Sequence, residues 1–438
     1  MVGLVYAMVG GRMIRQEINY GRNYFIRLSD YSLLFRLASR TFAYGYNIYR
    51  SMRLETEIDD ILYSLDIDEQ VATVKECMDK YHVGEIVIPS SFFYEGILYE
   101  VISIGNNAFC DCRRLITITI PEGVTSIGNS AFDGCSSLTD INIPESVTSI
   151  GDEAFAYCDR LTYITIPKSV NRIGERAFAW CQSLFVITIP DNSQLASIGN
   201  DAFACCSGLK AVCISDIAAW CNIKFHNDNS NPLLYAKNLY LNGEFVTELT
   251  LPKGTTNIEN YAFSGCRSLT AIAIPEGMTS IGRIAFGGCD RLTDIVVADG
   301  NTTYDSRGGC NAIINTNSHT LITGCSTTII PESVTSIGDY AFFGCDKLTT
   351  INIPTRVTSI GDGAFYGCSS LTSITIPESV TRIGEYAFMS CSSLISITIP
   401  TSVTSIGNDA FFGCDKLTTI NIPESVTSLG NYAFFHCI

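Results

Sequence analysis

Ile337–Pro354 reads IGDYAFFGCDKLTTINIP. The same string returns, with small changes, from Ile360, Ile383 and Ile406, so the chain repeats every 23 residues. As a pattern, the unit is I-G-x-x-A-F-x-x-C-x-x-L-x-x-I-x-I-P-x-x-V-x-x. Earlier copies begin at Ile104, Ile127, Ile150, Ile173 and Ile198. Two more begin at Ile258 and Ile281, and a last, incomplete copy begins at Leu429. One such unit cannot bury its own apolar groups, but stacked neighbours can.

The chemistry of a unit follows from its residues. In Leu348–Ile353 the apolar side chains at Leu348, Ile351 and Ile353 face one way. Asn352 lies between two of them and must face out, because side chains alternate along a strand. Pro354 ends the strand, since proline cannot donate to a ladder. Val357 and Ile360 turn back inward, Gly361 permits a bend, and Ala364 and Phe365 sit on a short helical or irregular turn. Cys368 closes the circuit. A 23-residue period holding L-x-x-I-x-I lies in the leucine-rich range.

The units SVTSIGDYAFFGCDKLTTINIPESV, found at 333–344 and 379–391 among others, carry a resemblance. The chain resembles the BspA-like leucine-rich repeat proteins, a family of bacterial and protist cell-surface proteins. The resemblance covers roughly 104–438. It implies an α/β repeat solenoid, a right-handed leucine-rich-repeat superhelix that is β-rich with short helical turns. It also implies a β-rich, hairpin-like N-terminal cap over 56–103, and adhesion to extracellular protein ligands.

Two inserts break the period, at about 216–257 and 298–328. The first carries a predicted helix over 216–223 and a predicted hairpin at Asn242-Gly243, a pair that suits a type I′ turn. Asn301–Asp305 and Asn315–Ser318 read as loops of the second. Both inserts are expected to be elaborated coils that stay in the stack. The alternative is that they project a binding loop.

Residues 1–55 form an atypical basic segment, with eight arginines, no lysine and three acids in a chain of net charge −16. It reads as a leader or a poorly ordered stretch. MVGLVYAMVGGR has no basic residue ahead of its apolar run and no small-residue cleavage site after it, so no secretion signal is read. The last unit stops partway, which reads as a fragment ending in mid-repeat.

Net acidity disfavours nucleic acid and anionic membranes as partners. No apolar run approaches the roughly 18 residues of a membrane span. Among the nineteen cysteines, twelve fall at the unit's Cys position, from Cys112 to Cys437. Cys110/Cys112 and Cys205/Cys206 lack metal-ligand spacing. The repeated cysteines are expected to be buried thiols acting as small hydrophobes. A bridge among the off-ladder Cys213, Cys221, Cys310 and Cys325 stays open. His82, His226, His319 and His436 accompany no nucleophile or metal motif, so no catalytic site, metal or cofactor is expected.

Three exposed columns are candidate partner-binding surfaces. The first is the outward strand face, with Tyr163, Asn352, Thr375 and Thr398. The second follows the buried phenylalanine, with Phe343, Tyr366, Met389 and Phe412, and with Tyr340 and Tyr386 nearby. These rings are read either as a contact patch or as packing against neighbouring coils. The third is Tyr157 and Trp180, which stand before the repeated Cys where most units have Gly. The expected function is a non-catalytic surface adhesin for host or matrix protein. The alternatives are an intracellular or structural scaffold and, remotely, glycan binding. Oligomeric state is not readable.

Overall fold

The computed structural model describes residues 2–9, 12–19, 54–80 and 84–437. The expectation for the basic segment falls largely outside these residues. Within it, Val2–Val9 pairs antiparallel with Arg12–Asn19.

From Gly84 onward the chain winds into coils, and each repeat contributes to two parallel ladders. The first ladder comes from the L-x-x-I-x-I stretch. Thr350–Asn352, Ser373–Thr375 and Ser396–Thr398 pair in register, each strand one repeat from the last. The second comes from the Ser-Ile pair that opens each unit. Ser336–Ile337, Ser359–Ile360, Arg382–Ile383, Ser405–Ile406 and Ser428–Leu429 stack in order. Between the ladders, the Ala-Phe stretch is a run of hydrogen-bonded turns, and the backbone bonds coil to coil there too. Phe365 N–H donates to Ala387 O at 2.8 Å, and Phe388 N–H to Ala410 O at 2.7 Å. Among the described residues, the α-helices lie in the first insert, at Ile217–Cys221 and Leu233–Ala236, and a 3-10 turn at Arg307–Gly309 lies in the second.

The interior is built from columns of identical residues. Phe109, Phe132, Phe155, Phe178 and Phe203 stack with centroids 5.2–5.4 Å apart and planes within 7°. Phe342, Phe365, Phe388, Phe411 and Phe434 form a second stack at 5.1–5.2 Å. The spacing is the coil rise itself, slightly above the ~4.8 Å between paired strands.

The glycine after each ladder Ile differs from expectation. No turn requires it; the coil below does. A Cβ on Gly174 would lie 2.4 Å from the Gly151 carbonyl carbon, and one on Gly151 2.5 Å from that of Gly128. The next residue adds an acid or amide rail. Asn129 N–H donates to Asn106 Oδ1, Asp152 N–H to Asn129 Oδ1 and Glu175 N–H to Asp152 Oδ1, at 2.8–2.9 Å. Asp339, Asp362 and Glu385 repeat the arrangement.

At the N-terminal end, Leu54–Ile58, Ile61–Asp66 and Val71–Cys77 form an antiparallel meander. Val71–Cys77 then pairs parallel with Ile97–Ile104, which also pairs antiparallel with Ser91–Tyr94. Strand polarity changes here from meander to solenoid.

Both inserts stay in the stack. Asp216 caps Ile217–Cys221 by accepting from Ala218 N–H and Ala219 N–H, a common N-cap role. Lys224–Phe225 joins the second ladder and Leu239–Leu241 the first. The hairpin at Asn242-Gly243 pairs Leu239–Leu241 with Glu244–Phe245. In the second insert, Tyr304–Asp305 is a short strand rather than loop, paired with Ala312–Asn315. Asn301 is buried and ties Pro275 O and Met278 O with its amide at 2.9 and 3.0 Å. At this insert the interior passes from one apolar cluster, Ile61 to Cys325, to a second, Cys310 to Ala433, and the insert contributes residues to both. Across the division Gly288 N–H donates to Phe343 O at 2.9 Å. Arg267 also spans it, reaching Asp290 at 2.6 Å and Asp346 at 3.5 Å.

Candidate binding surface

The cysteine column faces the interior. None of the nineteen cysteines is in a disulfide, the off-ladder Cys213, Cys221, Cys310 and Cys325 included. The ladder thiols are more than small hydrophobes. Cys135 Sγ donates to Phe109 O at 3.1 Å, and Cys158, Cys181, Cys206, Cys368, Cys391 and Cys414 do the same to the phenylalanine one coil earlier. That carbonyl already accepts the N–H of its own coil's cysteine, so the thiol occupies its second lone pair. Burial pushes the Cys206 and Cys391 thiols up to about 12. A nucleophilic thiol needs the opposite shift, so these two are not poised as nucleophiles. Among the described residues no cluster of His, Cys, Asp or Glu could hold a metal ion.

The three surface columns sit differently. On the strand face, Asn352, Thr375 and Thr398 are exposed and lie in one line across three paired strands. Tyr163 is exposed on another sheet, opposite Val186. The neighbouring Asp140 carboxylate holds its phenol above the usual range. Exposed apolar residues also replace the usual threonine beside this face, at Ile116, Phe185 and Ile395. The break in the threonine column was the available sequence signal for them.

On the turn side, Phe343, Tyr366, Met389 and Phe412 follow one another in consecutive coils, all half-buried. Phe343 meets Tyr366 edge-on at 5.1 Å and reaches across Gly287, where a Cβ would stand 2.7 Å from its ring. Tyr340 covers Gly363 in the same way, and Arg283 lies 4.1 Å above its ring. Tyr386 is also half-buried. Phe343 and Tyr340 fill space left by Gly287 and Gly363. Tyr432 and Phe435, in the last described coil, are exposed.

Tyr157 and Trp180 contrast with that stripe. Their rings are parallel, 5.9 Å apart and 7° from coplanar, and remain 50% and 42% exposed. Both backbones are left-handed, with φ of 56° and 63°, at the place where Gly134, Gly265, Gly288, Gly344, Gly367 and Gly413 stand in other coils. A side chain there costs roughly 1–2 kcal/mol. The turn holds one ring at a time in these coils. Tyr157 and Trp180 follow Ala156 and Ala179, whereas Phe343, Tyr366 and Phe412 precede Gly344, Gly367 and Gly413.

Coils of constant length, stacked through parallel ladders and presenting variable side chains on a fixed frame, define a leucine-rich-repeat solenoid. The chain belongs to the family described as BspA type leucine rich repeat region, which matches in six copies over residues 102–231, 236–310 and 312–438.

One solved structure agrees in fold. A leucine rich cell surface protein from Faecalibacterium prausnitzii A2-165 is 31% identical, with a TM-score of 0.61, covering 89% of this chain and 93% of that one. A leucine-rich repeat protein from Bacteroides ovatus is 27% identical with a TM-score of 0.45, covering 88% and 93%. No curated protein matches. Proteins of this repeat class are generally non-catalytic and generally bind proteins. Among the described residues no helix is long and apolar enough to cross a membrane.

Proposed function

We propose that this protein is a non-catalytic adhesin, held at the cell surface and presenting its repeat face to host or extracellular-matrix proteins. The observation that carries the reading is the Tyr157–Trp180 pair: two large rings left exposed, on strained backbone, where most other aromatics among the described residues are buried or packed. Exposed aromatics of this kind anchor protein interfaces. The F. prausnitzii relative, described as a cell surface protein, supports the location.

The test is binding of the full chain to immobilised fibronectin, fibrinogen and a glycan array. Two variants accompany it: Tyr157→Ser with Trp180→Ser, and Phe343→Ser with Tyr366→Ser and Phe412→Ser. Saturable protein binding that the first variant weakens supports the adhesin and its site. Binding lost only in the triple variant moves the site to the stripe. No saturable binding to any member overturns the adhesin reading.

A further inference from the structure

The second insert repeats the architecture of the N-terminal end. Tyr304–Asp305, Ala312–Asn315 and Thr320–Gly324 form an antiparallel meander, and the last of these strands pairs parallel with Ser336–Ile337. Leu54–Ile58, Ile61–Asp66 and Val71–Cys77 run in the same order onto Ile97–Ile104. The likeness extends to single residues. Ile61 pairs with Cys77 and Leu62 with Glu76; the register then skips Lys75, so that Tyr63 pairs with Val74. Ala312 pairs with Gly324 and Ile313 with Thr323; the register then skips Ile322, so that Ile314 pairs with Leu321.

Both meanders grip the coil that follows in the same way. Gly105 N–H donates to Val74 O at 2.7 Å, and Gly338 N–H to Leu321 O at 2.9 Å. Cys77 N–H donates to Ala108 O at 2.6 Å, and Gly324 N–H to Ala341 O at 2.8 Å. A Cβ on Gly105 would meet Val74 O at 2.7 Å and Thr73 Cγ2 at 3.4 Å. One on Gly338 would meet Leu321 O at 2.8 Å and Thr320 Cγ2 at 3.3 Å. The sequences hide this: residues 71–77 and 318–324 agree only at Thr73 and Thr320.

The first meander closes one end of a stack by pairing its opening strand. The second stands where one stack stops and another starts. Ser280–Ile281 and Asp294–Val297 are the last strands of their ladders, and Ser336–Ile337 pairs with the meander instead. Phe286 stacks on Phe263 and Phe342 on Phe365, but Phe286 and Phe342 do not stack on each other. Gly324 of the meander lies against the Phe342 ring. Ala312 and Ile314 are buried in the second apolar cluster, while Ile313 between them is buried in the first. The meander is thus a wall with an apolar face toward each side. The first insert also interrupts both ladders, but there a single apolar cluster runs through.

We infer that the second insert is an internal cap and that the chain is two stacking units joined end to end, each able to open while the other stays folded. One unit is the coils before the insert; the other is the coils from Ser336 on. A coil is stabilised chiefly by the coils it pairs with, and neither parallel ladder runs through the insert. The Gly288–Phe343 hydrogen bond and the Arg267–Asp346 contact cross it on the turn side. The division separates the candidate surfaces, with Tyr157 and Trp180 on the first unit and Phe343, Tyr366, Met389 and Phe412 on the second.

Hydrogen exchange of the full chain in dilute urea, read by mass spectrometry, tests this with one substitution on each side of the insert. Phe286→Leu is expected to speed exchange about tenfold in the coils before the insert and to leave residues from Ser336 on within about twofold of the natural chain. Phe365→Leu is expected to do the reverse. An increase shared by both sides in either variant overturns the inference. So does an increase that fades coil by coil from the substituted ring, with no step at the insert. Ile258→Val and Ile360→Val, smaller changes in the ladders, carry the same comparison where a phenylalanine variant fails to fold.

Discussion

The Cys368 thiol donates a hydrogen bond to the Phe342 carbonyl one coil below it, at 3.2 Å. Nine of the twelve ladder cysteines join two coils in this way, and Phe342, which supplies the acceptor here, is itself part of the aromatic stack. Cys368→Ala removes the donor and leaves a small void. It is expected to lower stability by about 1–2 kcal/mol, read from urea denaturation. Cys368→Ser keeps a donor of smaller volume and should fall between Ala and the natural residue.

The thiols also set an alkaline limit. Burial pushes Cys206 and Cys391 to about 12 and Cys266 to about 11, against an ordinary 9.0. The fold prefers the neutral thiol. That contribution is fully present below pH 9 and is lost as pH rises from 9 toward 11–12, because the unfolded chain releases its protons first. Denaturation midpoints should be flat between pH 7 and 8.5 and fall steeply above 9. A midpoint unchanged at pH 10.5 contradicts this account of the cysteine column.

The aromatic stack is the main apolar column, and its members are buried except for Phe434 in the last described coil. Phe365→Ala, in the middle of the second stack, is expected to cost about 3–5 kcal/mol. Gly324→Ala attacks the same stack from its start. The added Cβ would stand 2.2 Å from Phe342 Cε1, so the ring or the insert must move. The first melting transition of Gly324→Ala, followed by circular dichroism, should come at lower temperature than that of the natural chain.

Asp290 has one buried carboxylate oxygen without a hydrogen-bond partner, while its other oxygen meets Arg267. Burial raises its pKa first, and Asp346 adds to the rise. The protonated acid is therefore favoured in the fold. Its contribution is present below the ordinary carboxylate range and is lost as pH rises through the folded value. Asp290→Asn should match or exceed the natural chain in stability at pH 7, and the difference should vanish near pH 3.

Substituting Trp180 by Gly should separate folding from recognition. The left-handed backbone strain of roughly 1–2 kcal/mol is relieved, while a ring contact of about 0.5–1.5 kcal/mol with Tyr157 is lost. Net stability is expected within about 1 kcal/mol of the natural chain in urea, with partner binding weakened.

The repeat, its period and its inward residues were legible in the sequence, because stacking demands the same residue at the same place in every coil. Ile351, Phe365 and Cys368 announce themselves by recurrence. The short helix of the first insert and the Asn242-Gly243 hairpin were legible too, being local. What recurrence conceals is the partner of each residue. Gly361 read as a bend, yet a Cβ there would meet Asp339 Oδ1 and Asp339 N at 2.6 and 2.7 Å, a contact with the coil below. The Asn106–Asn129–Asp152 rail and the Arg267–Asp290–Asp346 group were invisible for the same reason: each joins residues 20 or more places apart, through distances that only stacking sets.

The candidate surfaces divide along this line. Sequence alone marks Phe343, Tyr366, Tyr157 and Trp180 as bulky residues on the turn side. Only the tertiary structure decides which of them have glycines to cover. Phe343 has Gly287 in reach of its ring and is half-buried; Tyr157 and Trp180 stack on each other and stay in solvent. Composition and period fix what a repeat protein buries, because burial is a property every coil shares. Exposure belongs to individual coils, and it depends on what the adjacent coil leaves empty.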